Sequence, residues 1–433
     1  MAGTGGLVIT DVDAWEILDS RGRPTVCCKV SVSSRWKATA SVPSGMSVGR
    51  REAVERRDGG SRYGGLGVRS AVDAVRGPLR QVAVGRDPAD QEGLDQALVA
   101  ADGSPDLSRL GANAVLSVSL ATLIAASVAT DLPLYRRLGA APSIPLPMVN
   151  ILSGGAHAGG MIDIQDILAV PVGATTFASA LEMASAVRAG TASVAADHGH
   201  SIALVADEGG LAVPLGSNAE AIEMVCSGIE RAGLRPGTDV SVGLDAAATQ
   251  FFHDGQYVLG AEGRRLGVDE WVDLLDSWRR TYPIISIEDA CAEDDWAGWR
   301  SASEALGGVQ LIGDDLFTTS PAMLQRGIDE AICNAVLVKP NQNGTVSGAS
   351  RVIELARRAG YATVVSARSG DTEDSWLADL AVGWGAGQIK VGSTTRSERT
   401  AKWNRLLAIE RELSPAAFAG SAAMAGVGGA TRP

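Results

Sequence analysis

The chain has 433 residues, 45% hydrophobic and 20% charged, enough to bury a large core and to build two domains. Its net charge of −12, without a basic patch, excludes the electrostatic footprint of a nucleic-acid binder. Five cysteines, an odd number with no zinc-ligand spacing and with Cys27 beside Cys28, read as free thiols rather than a disulfide framework.

In chain order, residues 1–6 carry neither a basic start nor an apolar signal core, so a cytoplasmic address is expected. Residues 7–14, 25–32 and 38–42 are rich in Val, Thr and Trp and predict extended segments, with a turn at Ser20-Arg21-Gly22. Helical spacing follows over 69–79, 87–101 and 110–129. Residues 112–129 come nearest to a membrane span, but their Ser- and Ala-rich character reads as a buried helix, and no membrane association is expected. Residues 1–140 therefore predict a small α+β domain.

The rhythm changes after Pro142. Apolar runs at 147–151, 164–170, 201–205, 240–244, 284–287, 309–312, 335–338, 363–366 and 388–391 alternate with helical patterns such as 176–198, 219–231, 268–281 and 345–359. That alternation predicts an α/β barrel over residues 141–413. No strand–glycine–helix phosphate fingerprint supports an open doubly wound sheet. Residues 414–433, rich in Ala and Gly, are expected to form a loose tail.

Barrel enzymes hold their chemistry at the C-terminal ends of strands. The runs end, in order, at Asp245, Glu288, Asp314 and Lys339, with Arg368 after the next run and Lys390 closing the last. Three carboxylates on one face repel each other unless a cation sits among them, and oxygen ligands without Cys or His suit Mg²⁺. Only five of 38 basic residues are lysines, so Lys339 and Lys390 stand out as amines able to lose a proton. An ammonium beside a cation has its pKa lowered, which makes Lys339 a candidate general base. Three further loops contribute. The glycine-hinged segment 43–49 (PSGMSVG) reads as a lid carrying Ser47. Glu208 in DEGG follows the run 201–205, and His157 lies in the loop SGGAHAG.

Several longer motifs carry a family resemblance: residues 16–25 (EILDSRGRPT), 42–47, 207–210 (DEGG), 286–289 (SIED), 313–316 (GDDL), 368–374 (RSGDTED), 387–390 (GQIK) and 396–399 (RSER). Over about residues 8–413 the chain resembles enolase. The resemblance implies an N-terminal α+β capping domain on an enolase-type (TIM-like) α/β barrel, a homodimer or higher oligomer, and two Mg²⁺ ions. It implies Asp245, Glu288 and Asp314 as ligands of the first ion and Ser47 as a ligand of the second. Lys339 is implied as the base, and Glu208 as the group acting on a leaving hydroxyl, with Asp166 on the same side. Lys390, Arg368, Ser369, His157 and Gln165 are implied on the substrate side.

The chain also departs from the family pattern. Asp166 replaces a glutamate, Ala367 a histidine, Asp371 a glutamate and Ala206 a glycine. These changes suggest a diverged member, of the carboxyphosphonoenolpyruvate synthase type, acting on a phosphorylated or phosphonylated three-carbon acid. The alternative is housekeeping conversion of 2-phosphoglycerate to phosphoenolpyruvate. A third possibility is a non-catalytic binding protein.

Overall fold

A computed structural model describes residues 6–46, 48–139, 141–413 and 417–425. The first three strands, β1 (Ile9–Leu18), β2 (Pro24–Val32) and β3 (Trp36–Ser41), form an antiparallel sheet in the order β1-β2-β3. β1 runs four residues beyond the predicted segment because its pairing with β2 continues to Leu18 opposite Pro24. Asp19 closes the turn by accepting the amides of Arg21 (2.9 Å) and Arg23 (2.8 Å). Helix Ala112–Thr130 is long and apolar enough to cross a membrane, yet most of it is buried against β2 and β3. The predicted helix at 69–79 is interrupted by a widened turn at Gly77-Pro78, where Pro78 lacks an amide to donate.

The remaining strands are β4 (Leu146–Ser153), β5 (Asp166–Val170), β6 (Leu211–Ala212), β7 (Ser241–Asp245), β8 (Phe252–His253), β9 (Gln256–Leu259), β10 (Arg264–Leu266), β11 (Ile284–Glu288), β12 (Gln310–Gly313), β13 (Ala335–Val338), β14 (Ala362–Ser366) and β15 (Gln388–Gly392). β8–β10 make a small meander. The others run β15-β14-β13-β12-β11-β7-β5-β4-β6, and pairing of β15 with β4 closes a barrel. The fold is an α/β barrel capped by an N-terminal α+β domain.

β5 is antiparallel to both β4 and β7. A parallel partner needs a long crossover, normally a helix, and residues 154–165 hold only the short turn Gly155–Ala158. The reversal places the first residue of β5, Asp166, level with Ser153 at the end of β4 and Asp245 at the end of β7.

Two expectations are corrected. Residues 201–205 are not a barrel strand. The position beside the end of β4 belongs to Leu211–Ala212, and Ile202, Leu204 and Val205 are 48%, 48% and 45% exposed. The segment expected to be a loose tail is docked at residues 417–425. Ile144 and residues 417–419 exchange backbone hydrogen bonds of 2.6 and 2.8 Å, and Phe418, Ala423 and Met424 pack under the barrel interior of Leu146, Met148, Leu168, Ile312, Leu337 and Val364. These apolar side chains leave water by closing the lower barrel mouth.

Candidate active site

Residues at or beside the C-terminal ends of β7, β11, β12 and β13, with Lys390 within β15, meet at the upper barrel mouth. Lys390 Nζ lies 2.6 Å from Asp245 Oδ2 and 2.7 Å from Glu288 Oε2. Lys339 Nζ pairs with Asp314 Oδ2. Gln165 donates to Asp245 Oδ2 at 3.0 Å, and the amide of Ala247 to Asp245 Oδ1 at 3.1 Å. Asp289, held at φ 43, accepts the amides of Asp314 and Asp315 at 2.9 Å each and so fixes the turn that aims Asp314. All three predicted acids are buried.

Electrostatics show what this wall lacks. Burial, then the neighbouring charge of Asp245, pushes the Glu288 carboxyl well above its usual range, even though Lys390 pulls it back. Burial lowers the Lys339 ammonium, but the charge of Asp314 outweighs it and holds the amine above its ordinary value. Lys390 is raised further, against its burial, by Asp245 and Glu288. Without a cation the lysine itself serves as counter-charge to Asp314; the lowering expected for Lys339 belongs to the cation-bound site. Three buried carboxylates with no Cys or His among them suit a hard divalent cation by donor chemistry, while in this structure Asp245 and Glu288 close on Lys390 and Asp314 on Lys339.

The opposite wall comes from loops and from the upper ends of β4 and β5. His157 Nδ1 lies 3.1 Å from Asp166 Oδ2, and its Nε2 is 4.0 Å from Glu208 Oε1. Asn150 Nδ2 and Ser153 Oγ (2.8 Å) also donate to Asp166 Oδ1. Burial lowers His157, but Asp166 and Glu208 outweigh it and hold the imidazole up to about 9. Glu208 does not follow a strand. It is tucked in because the amide of Ser393 donates to its carbonyl at 2.8 Å. Gly392, at φ 110, permits that approach, since a Cβ there would come within 2.7 Å of the same carbonyl. His157, Asp166 and Glu208 each offer a ligand atom within 4.8 Å of the others, a cluster able to hold a divalent metal, and so do Asp289, Asp314 and Asp315.

The third side joins the domains. Arg368, buried, is gripped by Glu52 of the N-terminal domain at 2.8 and 3.2 Å. Burial lowers its guanidinium, but Glu52 outweighs it and raises it. Ser369 Oγ accepts the amide of Met46 at 2.7 Å, and Ser44 and Gly370 exchange backbone hydrogen bonds of 2.7 and 2.9 Å. Segment 43–46 is thus fastened to the barrel rim, while Ser47 lies outside the described residues. Arg399, fully buried, clamps the loop from below through the carbonyls of Arg368 (2.7 Å) and Ser369 (2.6 Å). Ala367 shares a lining with Lys339, Lys390, Gln165, His157 and Glu208 around a small cavity of about 20 Å³. Sequence reasoning missed Glu52, Gln342 and Asn150. Glu52 lies three residues beyond the predicted lid and Gln342 three beyond Lys339, but neither spacing alone marks a site.

Comparison with known proteins agrees with this geometry. The model for "Enolase, N-terminal domain" matches residues 9–138, and that for "Enolase, C-terminal TIM barrel domain" matches residues 141–426. The chain is 49% identical over 420 residues to a protein named enolase from Acidothermus cellulolyticus, covering 96% of this chain and 97% of that one. With acids and lysines gathered at the barrel mouth and both domain models matched along nearly its whole length, the chain belongs to the enolase family of carbon–oxygen lyases.

Proposed function

We propose that the protein interconverts 2-phosphoglycerate and phosphoenolpyruvate. Magnesium-dependent enolase-superfamily chemistry on a small carboxylic acid follows from its family; the choice of acid is the proposal. The observation that carries it is one small cavity lined by Lys339 and Lys390 on one wall and by Glu208 and His157 on the other. The similarity to a named enolase over nearly the full chain supports this reading above the phosphonate-pathway one expected from the departures.

In this reading Lys339 Nζ takes the proton next to the substrate carboxylate. Lys390 faces that carboxylate, and Arg368 and Ser369 hold the phosphoryl group. Glu208 delivers a proton to the departing hydroxyl, with His157 fixed beside it by Asp166. Asp245, Glu288 and Asp314 would hold one Mg²⁺, and Ser47 would help to hold a second. Bound Mg²⁺ supplies positive charge against the carboxylate as its charge develops and displaces the need for Lys339 as counter-charge. The Glu52–Arg368 pair and the fastened segment 43–46 tie the N-terminal domain to the rim of the cavity.

A second reading rests on Ala367 and Asp166. The methyl of Ala367 lines the cavity where the family pattern has an imidazole, leaving room for a larger group on a phosphonylated acid. One assay separates the two. With 2-phosphoglycerate and Mg²⁺, ultraviolet absorbance of the enol product should rise at an ordinary enzymatic rate, on the order of 1–10³ s⁻¹. No turnover with this substrate, alongside turnover of a phosphonylated analogue, would overturn the first reading.

A further inference from the structure

Gln342 sits in the short turn Pro340–Asn343 after β13 and is 2% exposed. Its oxygen accepts from Thr319 Oγ1 at 2.6 Å, and the same hydroxyl oxygen accepts the amide of Lys339 at 2.9 Å. Its nitrogen donates to Asp314 Oδ1 at 2.9 Å and, more weakly, to Glu52 Oε1 at 3.4 Å. The network fixes the amide's orientation. Reversed, it would aim its oxygen at two carboxylates, which have no hydrogen to donate.

One amide thus connects three parts of the site: through Thr319 the backbone of Lys339, and directly a carboxylate of the acidic wall and the carboxylate that grips Arg368. By engaging Oδ1 it leaves Asp314 Oδ2, the oxygen now facing Lys339, as the one presented to the centre of the site. We infer that Gln342 is a positioning residue that selects the ligand oxygen of Asp314 and couples it across the domain boundary to Glu52 and Arg368. The inference rests on Asp314 being a cation ligand. Partners that orient a ligating carboxylate commonly control metal affinity by about 10–100-fold.

The test is calorimetric titration of Mg²⁺ alone into metal-free, full-length wild type, Gln342→Met, Gln342→Asn and Asp314→Asn, with the melting temperature of each metal-free protein. Gln342→Met keeps the volume and removes the donor. Its Mg²⁺ dissociation constant should rise about tenfold or more while its metal-free melting temperature stays near that of wild type. Should it fail to fold, Gln342→Asn, which keeps an amide too short to reach Asp314, carries the same expectation. A filler role would shift melting and leave Mg²⁺ affinity alone. Wild-type affinity in the folded Gln342 variant, with affinity lost in Asp314→Asn, overturns this inference by itself. Unchanged affinity in Asp314→Asn removes the cation-site reading and this inference with it.

Discussion

The two walls of the cavity solve the same electrostatic problem differently. On the first, carboxylates at strand ends are each answered by a lysine from a nearby strand end: Asp245 and Glu288 by Lys390, and Asp314 by Lys339. On the second, one imidazole lies between two carboxylates, one at the start of β5 and one on a loop, His157 between Asp166 and Glu208. The first wall is a set of rigid strand termini with a surplus of acid, and it gains from a cation. The second also has one acid in excess, two carboxylates against one imidazole, but its counter-charge is a titratable ring suited to handing over a proton. In the proposed reading the site is divided between charge stabilisation and leaving-group chemistry.

That division is open to attack on each side. The largest effect is expected from Lys339→Arg, which keeps the charge and removes the ability to accept a proton. Turnover followed by product absorbance should fall by about 10⁴-fold; full activity would refute the base assignment. Next comes Lys390→Met, which strands Asp245 and Glu288 together. In metal-free protein, urea unfolding should show a loss of about 3–5 kcal/mol, the usual cost of breaking a buried pair. Mg²⁺ should restore much of it, whereas an equal loss with and without Mg²⁺ would mean that these acids are not a cation site.

On the second wall, Asp166→Asn leaves His157 without its nearest anion. Turnover should fall by about 10²-fold with Mg²⁺ affinity unchanged; a parallel loss of Mg²⁺ affinity would instead make Asp166 a metal ligand. The smallest effect is a pH dependence. The folded protein holds His157 up to about 9, from an ordinary 6.5. The stabilisation is therefore complete below 6.5 and is lost as pH rises towards 9. The difference in melting temperature between metal-free wild type and His157→Asn should shrink across that window. A constant difference would show that His157 does not carry this charge.

The first wall was legible because of the regularity of βα units. Asp314 follows Glu288 by 26 residues and Lys339 follows Asp314 by 25, so reading the residue that closes each apolar run found the three acids and Lys339 at one rim. The same rule cannot find Asp166. β5 runs backwards, and its first residue, not its last, reaches the upper rim. Glu208 was located only through a motif, since the strand assigned before it is an exposed loop. Glu52 and Gln342 carry no signal of their own, because their roles exist only where the two domains touch.

By itself the sequence determined the barrel, its cap, and the order of acid, acid, acid and lysine, because periodic apolar runs set strands and helices locally and chain order sets which strand ends are neighbours. Tertiary structure alone decided the reversed direction of β5, the docking of residues 417–425 and the grip of Glu52 on Arg368. Each depends on a partner more than a hundred residues away or on a connection too short for a crossover, and no local pattern encodes either.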